Sequence, residues 1–106
     1  MPQKVAITGI GQTRTRLKRK DVNFPELMGE AAQLALQDAG LNAEDIDLVL
    51  YGSGPEMFEG VGEPELWGAD NTFGVFRPHY RIQTGGTVGG STTIAGWYMV
   101  NSGLAN

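Results

Sequence analysis

Residues 81–103, RIQTGGTVGGSTTIAGWYMVNSG, read as a short strand, a glycine turn and a nearly all-apolar helix. Ile82 alternates with polar neighbours, and Gly85, Gly86, Gly89 and Gly90 then relax the backbone. From Ser91 onward, Thr92, Thr93, Ile94, Ala95, Trp97, Met99 and Val100 leave almost no charged face, and a helix apolar all round is normally buried. Its start would point free N–H groups and a partial positive charge beyond the turn. Two readings follow: a tight strand-to-helix connection, or an oxyanion or acyl-binding site at a helix N-terminus. No side chain in the turn is a good nucleophile.

Working outward, the rest of the chain alternates strands and helices. Residues 4–9, KVAITG, form an apolar β-branched run of strand length. A polar, basic loop spans residues 11–22. Asn23 then reads as an N-cap with Pro25 in the first turn and Glu26 three residues on, as a capping box requires. Leu27, Met28, Ala31, Leu34 and Ala35 recur on one helical face, and Gly40 stops the helix, with Leu41 placed for the accompanying hydrophobic contact. Residues 42–45 suit one helical turn, 46–51 a second strand, 80–84 a third, and 91–102 the closing helix. This order implies a mostly parallel sheet in an α/β layer fold. The excursion over residues 52–78 is long enough to be functional or to carry a short helix, for which 65–71 is the candidate. Phe58, Trp67, Phe73 and Phe76 suggest a folded lid or an interface there.

At 106 residues the chain is one domain at most, with room for a modest core. The absence of cysteine excludes disulfides, thiolate metal sites and a cysteine nucleophile. No long apolar run and no signal-peptide pattern is present, so a cytoplasmic protein with no membrane association is expected. The net charge of −4 hides an asymmetry: Arg14, Arg16, Lys18, Arg19 and Lys20 are five of the eight basic residues. One short basic loop argues against a nucleic-acid surface. It reads as a solvated loop or as an attractor for a phosphate-bearing ligand such as coenzyme A.

Several motifs fail. Gly9-Ile-Gly11 begins a dinucleotide fingerprint, but Arg14 holds the third glycine position and no helix follows. Gly52-Ser53-Gly54 leads through Pro55 and Glu56 into no apolar helix. The turn at residues 85–90 lacks the lysine of a P-loop, and Ser91 lies beyond it, outside any nucleophile elbow. His79 is a single histidine without cysteines and reads as structural. Glu56, Glu59, Glu63 and Glu65 read as a loop coat, with an acid–base carboxylate pair as the alternative.

The chain resembles the N-terminal segment of the thiolase superfamily, especially its sterol-carrier and lipid-transfer branch. VAITGIGQT (5–13) is similar to that branch's first strand and turn, and FPELMGEAAQLALQDAGLNAEDIDLVLYGS (24–53) to its first helix, Ala-Gly stop, Asp-containing turn and second strand. Residues 81–103 are similar to the third strand, catalytic turn and central buried helix. The resemblance covers nearly the whole chain and implies a thiolase-like layered α/β fold, N-terminal part only, with residues 1–106 as one partial domain. In thiolases the turn reads Cys-Ala-Ser/Thr-Gly, and its cysteine takes the acyl group from acyl-coenzyme A. Here that position falls on Gly86, while Gly89 matches the family glycine. Glycine cannot form a thioester, and nothing in the sequence activates Thr87.

Family members without the cysteine include aldolase-like enzymes of side-chain degradation. The resemblance therefore implies an acyl-CoA enzyme for carbon–carbon cleavage or formation, aldolase-like rather than Cys-dependent. The alternative is a non-catalytic acyl-CoA or lipid-binding or interaction subunit. Gly85, Gly86, Thr87, Gly89 and Gly90 are the expected substrate-binding residues, with no catalytic side chain, no metal and no bound cofactor; a coenzyme A thioester is the expected substrate. The family's histidine-bearing and Gly-His-Pro loops belong to later sequence, so acid–base groups are expected from elsewhere. A homodimer through the strand before the turn is implied, and a small zinc- and OB-fold-containing partner subunit fits the aldolase-like class. An unpaired sheet edge and an uncovered helix face should favour such association.

Overall fold

The computed structural model describes residues 4–55 and 60–106. Helix α1 spans Phe24–Ala39. Its capping box closes as the sequence predicts: the Glu26 amide donates to Asn23 Oδ1 at 2.8 Å and the Asn23 amide to Glu26 Oε1 at 3.2 Å. At the other end Gly40 takes φ 67°, a left-handed conformation that favours glycine, and the Gly40 and Leu41 amides return to Gln37 and Leu36. A single 3₁₀ turn, Ala43–Asp45, leads to strand β1, Val49–Gly52. The excursion carries a short helix α2, Pro64–Trp67, and returns as strand β2, His79–Ile82. A second 3₁₀ turn, Gly85–Thr87, runs directly into helix α3, Val88–Asn101.

β1 and β2 pair in parallel with Val49 opposite His79 and Gly52 opposite Ile82. Parallel pairing puts both carboxyl ends on one side, so the loop after β1 and the glycine turn after β2 are neighbours. α3 packs on β1, and the fit is close: a Cβ on Gly52 would lie 3.2 Å from Val88 Cγ2 and would collide with the Thr92 hydroxyl. The mostly parallel α/β arrangement expected from the sequence is therefore present.

Three expectations are corrected. Residues 4–9 join no strand pair; the described sheet has two strands. The backbone there lies instead on α1, where Gly9 presses on Ala35 and Ala39 and Gly11 on Ala31 and Ala35 with no room for a Cβ. These glycines of the failed dinucleotide motif serve helix packing. Second, α3 starts at Val88 rather than Ser91, because the 3₁₀ turn hands its backbone directly to the helix through Gly89 and Gly90. Third, α3 carries no buried residue. Two four-residue strands cover only one side of it, leaving Ile94 and Tyr98 more than half exposed. The uncovered helix face foreseen from the sequence is thus real, and the complete burial is not.

The excursion is folded onto this frame. Trp67 stacks on Phe24 with ring centroids 5.9 Å apart. The hydroxyls of Tyr51 and Thr72, both buried, bond to each other, and Thr72 also donates to the Gly68 carbonyl at 2.7 Å. Arg77 donates to the carbonyls of Ala43, Ile46 and Phe73, each at 2.8 Å, tying the excursion to the chain entering β1. Phe76 is fully exposed. Glu56, Phe58 and Glu59 lie outside the described residues. The helix expected over 65–71 is one turn, Pro64–Trp67, after which Thr72 and Gly74 close turns back to Ala69.

Candidate functional site

The glycine turn is built from polar side chains that hold its backbone. Gln83 bridges it to the loop after β1: its Nε2 donates to the Gly54 carbonyl at 3.1 Å, and its Oε1 accepts from the Gly85 amide at 2.8 Å. Gly85 needs to be glycine, since its φ is 66° and a Cβ in that region is strained. Thr84 Oγ1 donates to Ser91 Oγ at 2.8 Å, locking the turn to the second turn of α3. Thr87 donates its hydroxyl proton back to the Thr84 carbonyl at 3.0 Å. Its oxygen is therefore a structural strut of the turn.

Gly86, Gly89 and Gly90 differ from Gly85. A Cβ at any of them would meet nothing within 4 Å, so neither packing nor a left-handed φ requires glycine there. No side chain caps the N-terminus of α3. The five expected binding residues thus form one open backbone surface at the positive end of a 14-residue helix. Such a surface can polarise a carbonyl or hold an enolate oxygen; it offers no group to attack one.

Beside the turn, at the carboxyl ends of the strands, lies an open cleft of about 470 Å³. This is where ligands bind in parallel α/β sheets. Phe24 and Met28 of α1, residues 50–54, Pro64 of α2 and Val88 of α3 line it. Ser53 Oγ within this wall is shut off from water and has no hydrogen-bond partner among the described residues. A buried hydroxyl left unmet costs about 1–3 kcal/mol. Neither the cleft nor Ser53 stands out in the sequence beyond a rejected Gly-x-Gly triplet, because the cleft is assembled from four separate elements.

Other candidate groups lie elsewhere or are committed. His79 opens β2, roughly 10 Å of strand away from its exit into the turn, and its Nδ1 sits 3.1 Å from the carbonyls of Gly74 and Arg77. It is structural, as the sequence suggested. Glu65 forms an ion pair with Arg81 at 3.6 Å, both largely shielded, which holds α2 against β2. Of the acids in the excursion, Glu65 is thus engaged in holding α2. Arg19 binds Asp21 through two bonds of 2.8 Å and Glu30 at 2.9 Å, whereas Arg14, Arg16, Lys18 and Lys20 remain exposed. The Arg19 hydrogen bonds hold the Asp21 carboxyl at about 2 and push the guanidinium above its usual range. Among the described residues no group of three His, Asp or Glu could hold a metal ion, and no helix is long and apolar enough to cross a membrane.

No protein-family model and no curated protein sequence matches the chain. Among solved structures it is similar to 3-oxoacyl-[acyl-carrier-protein] synthase III from Aquifex aeolicus VF5, with a TM-score of 0.65 at 16% identity. The alignment covers 81% of this chain and 28% of that one, so the chain spans less than a third of the synthase's length. The shared architecture supports a thiolase-like fold for the α/β layers described above.

Proposed function

We propose that this chain is the N-terminal part of a thiolase-fold enzyme that breaks or forms carbon–carbon bonds in coenzyme A thioesters without a covalent acyl-enzyme. The observation that carries the reading is the turn itself. By its resemblance to thiolases the turn carries Gly86 where they carry cysteine, and the neighbouring Thr87 proton is spent on Thr84. What remains is electrostatic: the positive end of α3 and the 3₁₀ turn leading into it stabilise negative charge on the thioester oxygen.

In the cleavage direction a base removes the proton of a β-hydroxyl. That oxygen becomes a carbonyl, the bond between the α and β carbons breaks, and its electron pair passes into an enolate of the thioester. A proton then restores the α carbon. The acid and base belong to further sequence or to a partner, since His79 and Glu65 are engaged elsewhere. The acyl part lies in the cleft beside Val88, and the exposed Arg14, Arg16, Lys18 and Lys20 attract the phosphates of coenzyme A. The similar synthase is named for a 3-oxoacyl-[acyl-carrier-protein], which supports an activated acyl group as the substrate class.

The open Gly86–Gly89–Gly90 surface also favours a second reading, an acyl-CoA-binding or interaction subunit without chemistry of its own. Gly86→Leu separates folding from function, because its side chain enters open space. We expect an unchanged circular dichroism spectrum, roughly a tenfold or greater loss of affinity for acyl-CoA, and loss of turnover in a complex reconstituted with any protein that copurifies with the chain. Binding without turnover in the unsubstituted complex favours the binding subunit. A covalent acyl-enzyme seen by mass spectrometry, or undiminished binding by Gly86→Leu, overturns the enzyme reading.

A further inference from the structure

We propose that the loop over residues 12–20 is a docking surface for anionic lipid headgroups, with Leu17 as its apolar tip and Arg14, Arg16, Lys18 and Lys20 as the cations that meet lipid phosphates. This surface is separate from the glycine turn and does not depend on the reading of that turn.

The loop is a projection fastened at both ends to one helix. At its start, Gly11 lies so close to Ala31 and Ala35 of α1 that no Cβ fits. At its end, Arg19 donates to Asp21 and reaches Glu30 of α1 at 2.9 Å. Between these fastenings the backbone bends at Leu17, whose side chain is fully exposed, with Arg14, Arg16 and Lys18 exposed on either side. Carboxylates of the chain neutralise Arg19, whereas Arg14, Arg16, Lys18 and Lys20 form no ion pair with any described residue. Outside this run the chain has only Lys4, Arg77 and Arg81 against its twelve acids. An anionic surface therefore repels the rest of the molecule and attracts this loop, which fixes the orientation of approach. Soluble phosphates feel the same charges; Leu17 is what selects a bilayer. Seated between Arg16 and Lys18, it can enter the boundary between headgroups and acyl chains while the cations stay with the phosphates. A protein partner calls for an apolar core with a polar rim, and Leu17 is the single apolar residue between Arg14 and Lys20. The expectation of no membrane association came from the lack of a long apolar run, which bears on spanning a bilayer and not on resting against one. Lys20 is four residues before Phe24, a residue of the cleft wall. No more than about 14 Å of chain separates the two, so the docked loop holds the cleft near the lipid surface.

The test is cosedimentation of the whole protein with vesicles of phosphatidylcholine alone and of phosphatidylcholine and phosphatidylserine in equal parts. At about 0.1 M salt the anionic vesicles should bind roughly a hundredfold more tightly, since each of four cations contributes about fivefold. Raising the salt to about 1 M, where screening sets in within about 3 Å, should remove most of that difference. Arg16→Ser combined with Lys18→Ser should weaken binding to the anionic vesicles by about tenfold or more. Leu17→Ser should weaken it roughly three- to tenfold with the salt dependence unchanged, the effect of losing one partly buried apolar side chain. All of these side chains are exposed, so the circular dichroism spectrum should not change. Equal binding to both vesicles, no binding to either, or binding unaffected by either set of substitutions overturns the proposal. Free coenzyme A should displace little protein, because it cannot match a surface of many phosphates. Full displacement by stoichiometric coenzyme A makes the loop a soluble-phosphate site and overturns lipid docking. Retention on polyglutamate without vesicle binding points to an acidic protein instead and overturns it as well.

Discussion

Arg19 holds two carboxylates at once, Asp21 in the same loop and Glu30 on α1, and so pins the basic loop to the helix. The folded Asp21 carboxyl sits at about 2, below its ordinary 3.8, chiefly because of the hydrogen bonds from Arg19. A depressed carboxyl stabilises the folded loop above its ordinary value, and that contribution is lost as pH falls through the folded one. We expect NMR titration to place the Asp21 midpoint near 2 and the loop amides around Arg19 to lose their native shifts between about pH 4 and 2. Asp21→Asn should remove that acid transition. Asp21 is well exposed, so global stability should move little.

At the scale of elements, Arg77 joins the excursion to the start of β1. One guanidinium serves three carbonyls, and no carboxylate in its hydrogen-bond set competes for it. Arg77→Ala should cost about 3 kcal/mol in denaturant unfolding, since charged hydrogen bonds are lost and shielded carbonyls left unmet. Arg77→Lys should rescue little of it, because a point charge cannot span Ala43, Ile46 and Phe73. Hydrogen exchange should accelerate first over residues 69–78. This staple was not legible in the sequence, for two of its three partners lie 31 and 34 residues away. α1 was legible to the residue, because Asn23, Glu26 and Gly40 satisfy its ends locally. The strand expected at 4–9 failed for the opposite reason: a strand needs a partner to complete its hydrogen bonds, and residues 4–9 rest on α1 instead.

At the scale of the whole molecule, too little sheet covers too much helix. Among the described residues the buried apolar side chains are Tyr51 and Ala69 together with Pro25 and Pro64, while Tyr80 of β2 and Ile94, Trp97 and Tyr98 of α3 stay exposed. The radius of gyration, 13.9 Å, slightly exceeds the ~13 Å of a compact chain of this length. Association through β2 and α3 would cover this surface. We expect light scattering to give a dimer, and Tyr80→Asp combined with Trp97→Asp to shift it toward monomer with the circular dichroism spectrum retained. A well-folded monomer for the unsubstituted protein would count against association.

The sequence by itself determined what local rules control: the capped helix α1, the order of strands and helices from residue 23 onward, and the strand–glycine–helix unit. Those features depend on neighbours within a few residues, where capping, periodicity and φ preference act. Only the tertiary structure decided what faces what. It set Gly9 and Gly11 against α1, left α3 half uncovered, spent the Thr87 proton inside the turn and buried Ser53 Oγ without a partner among the described residues. Burial and hydrogen-bond satisfaction are properties of residues brought together from distant parts of the chain, and no local pattern carries them.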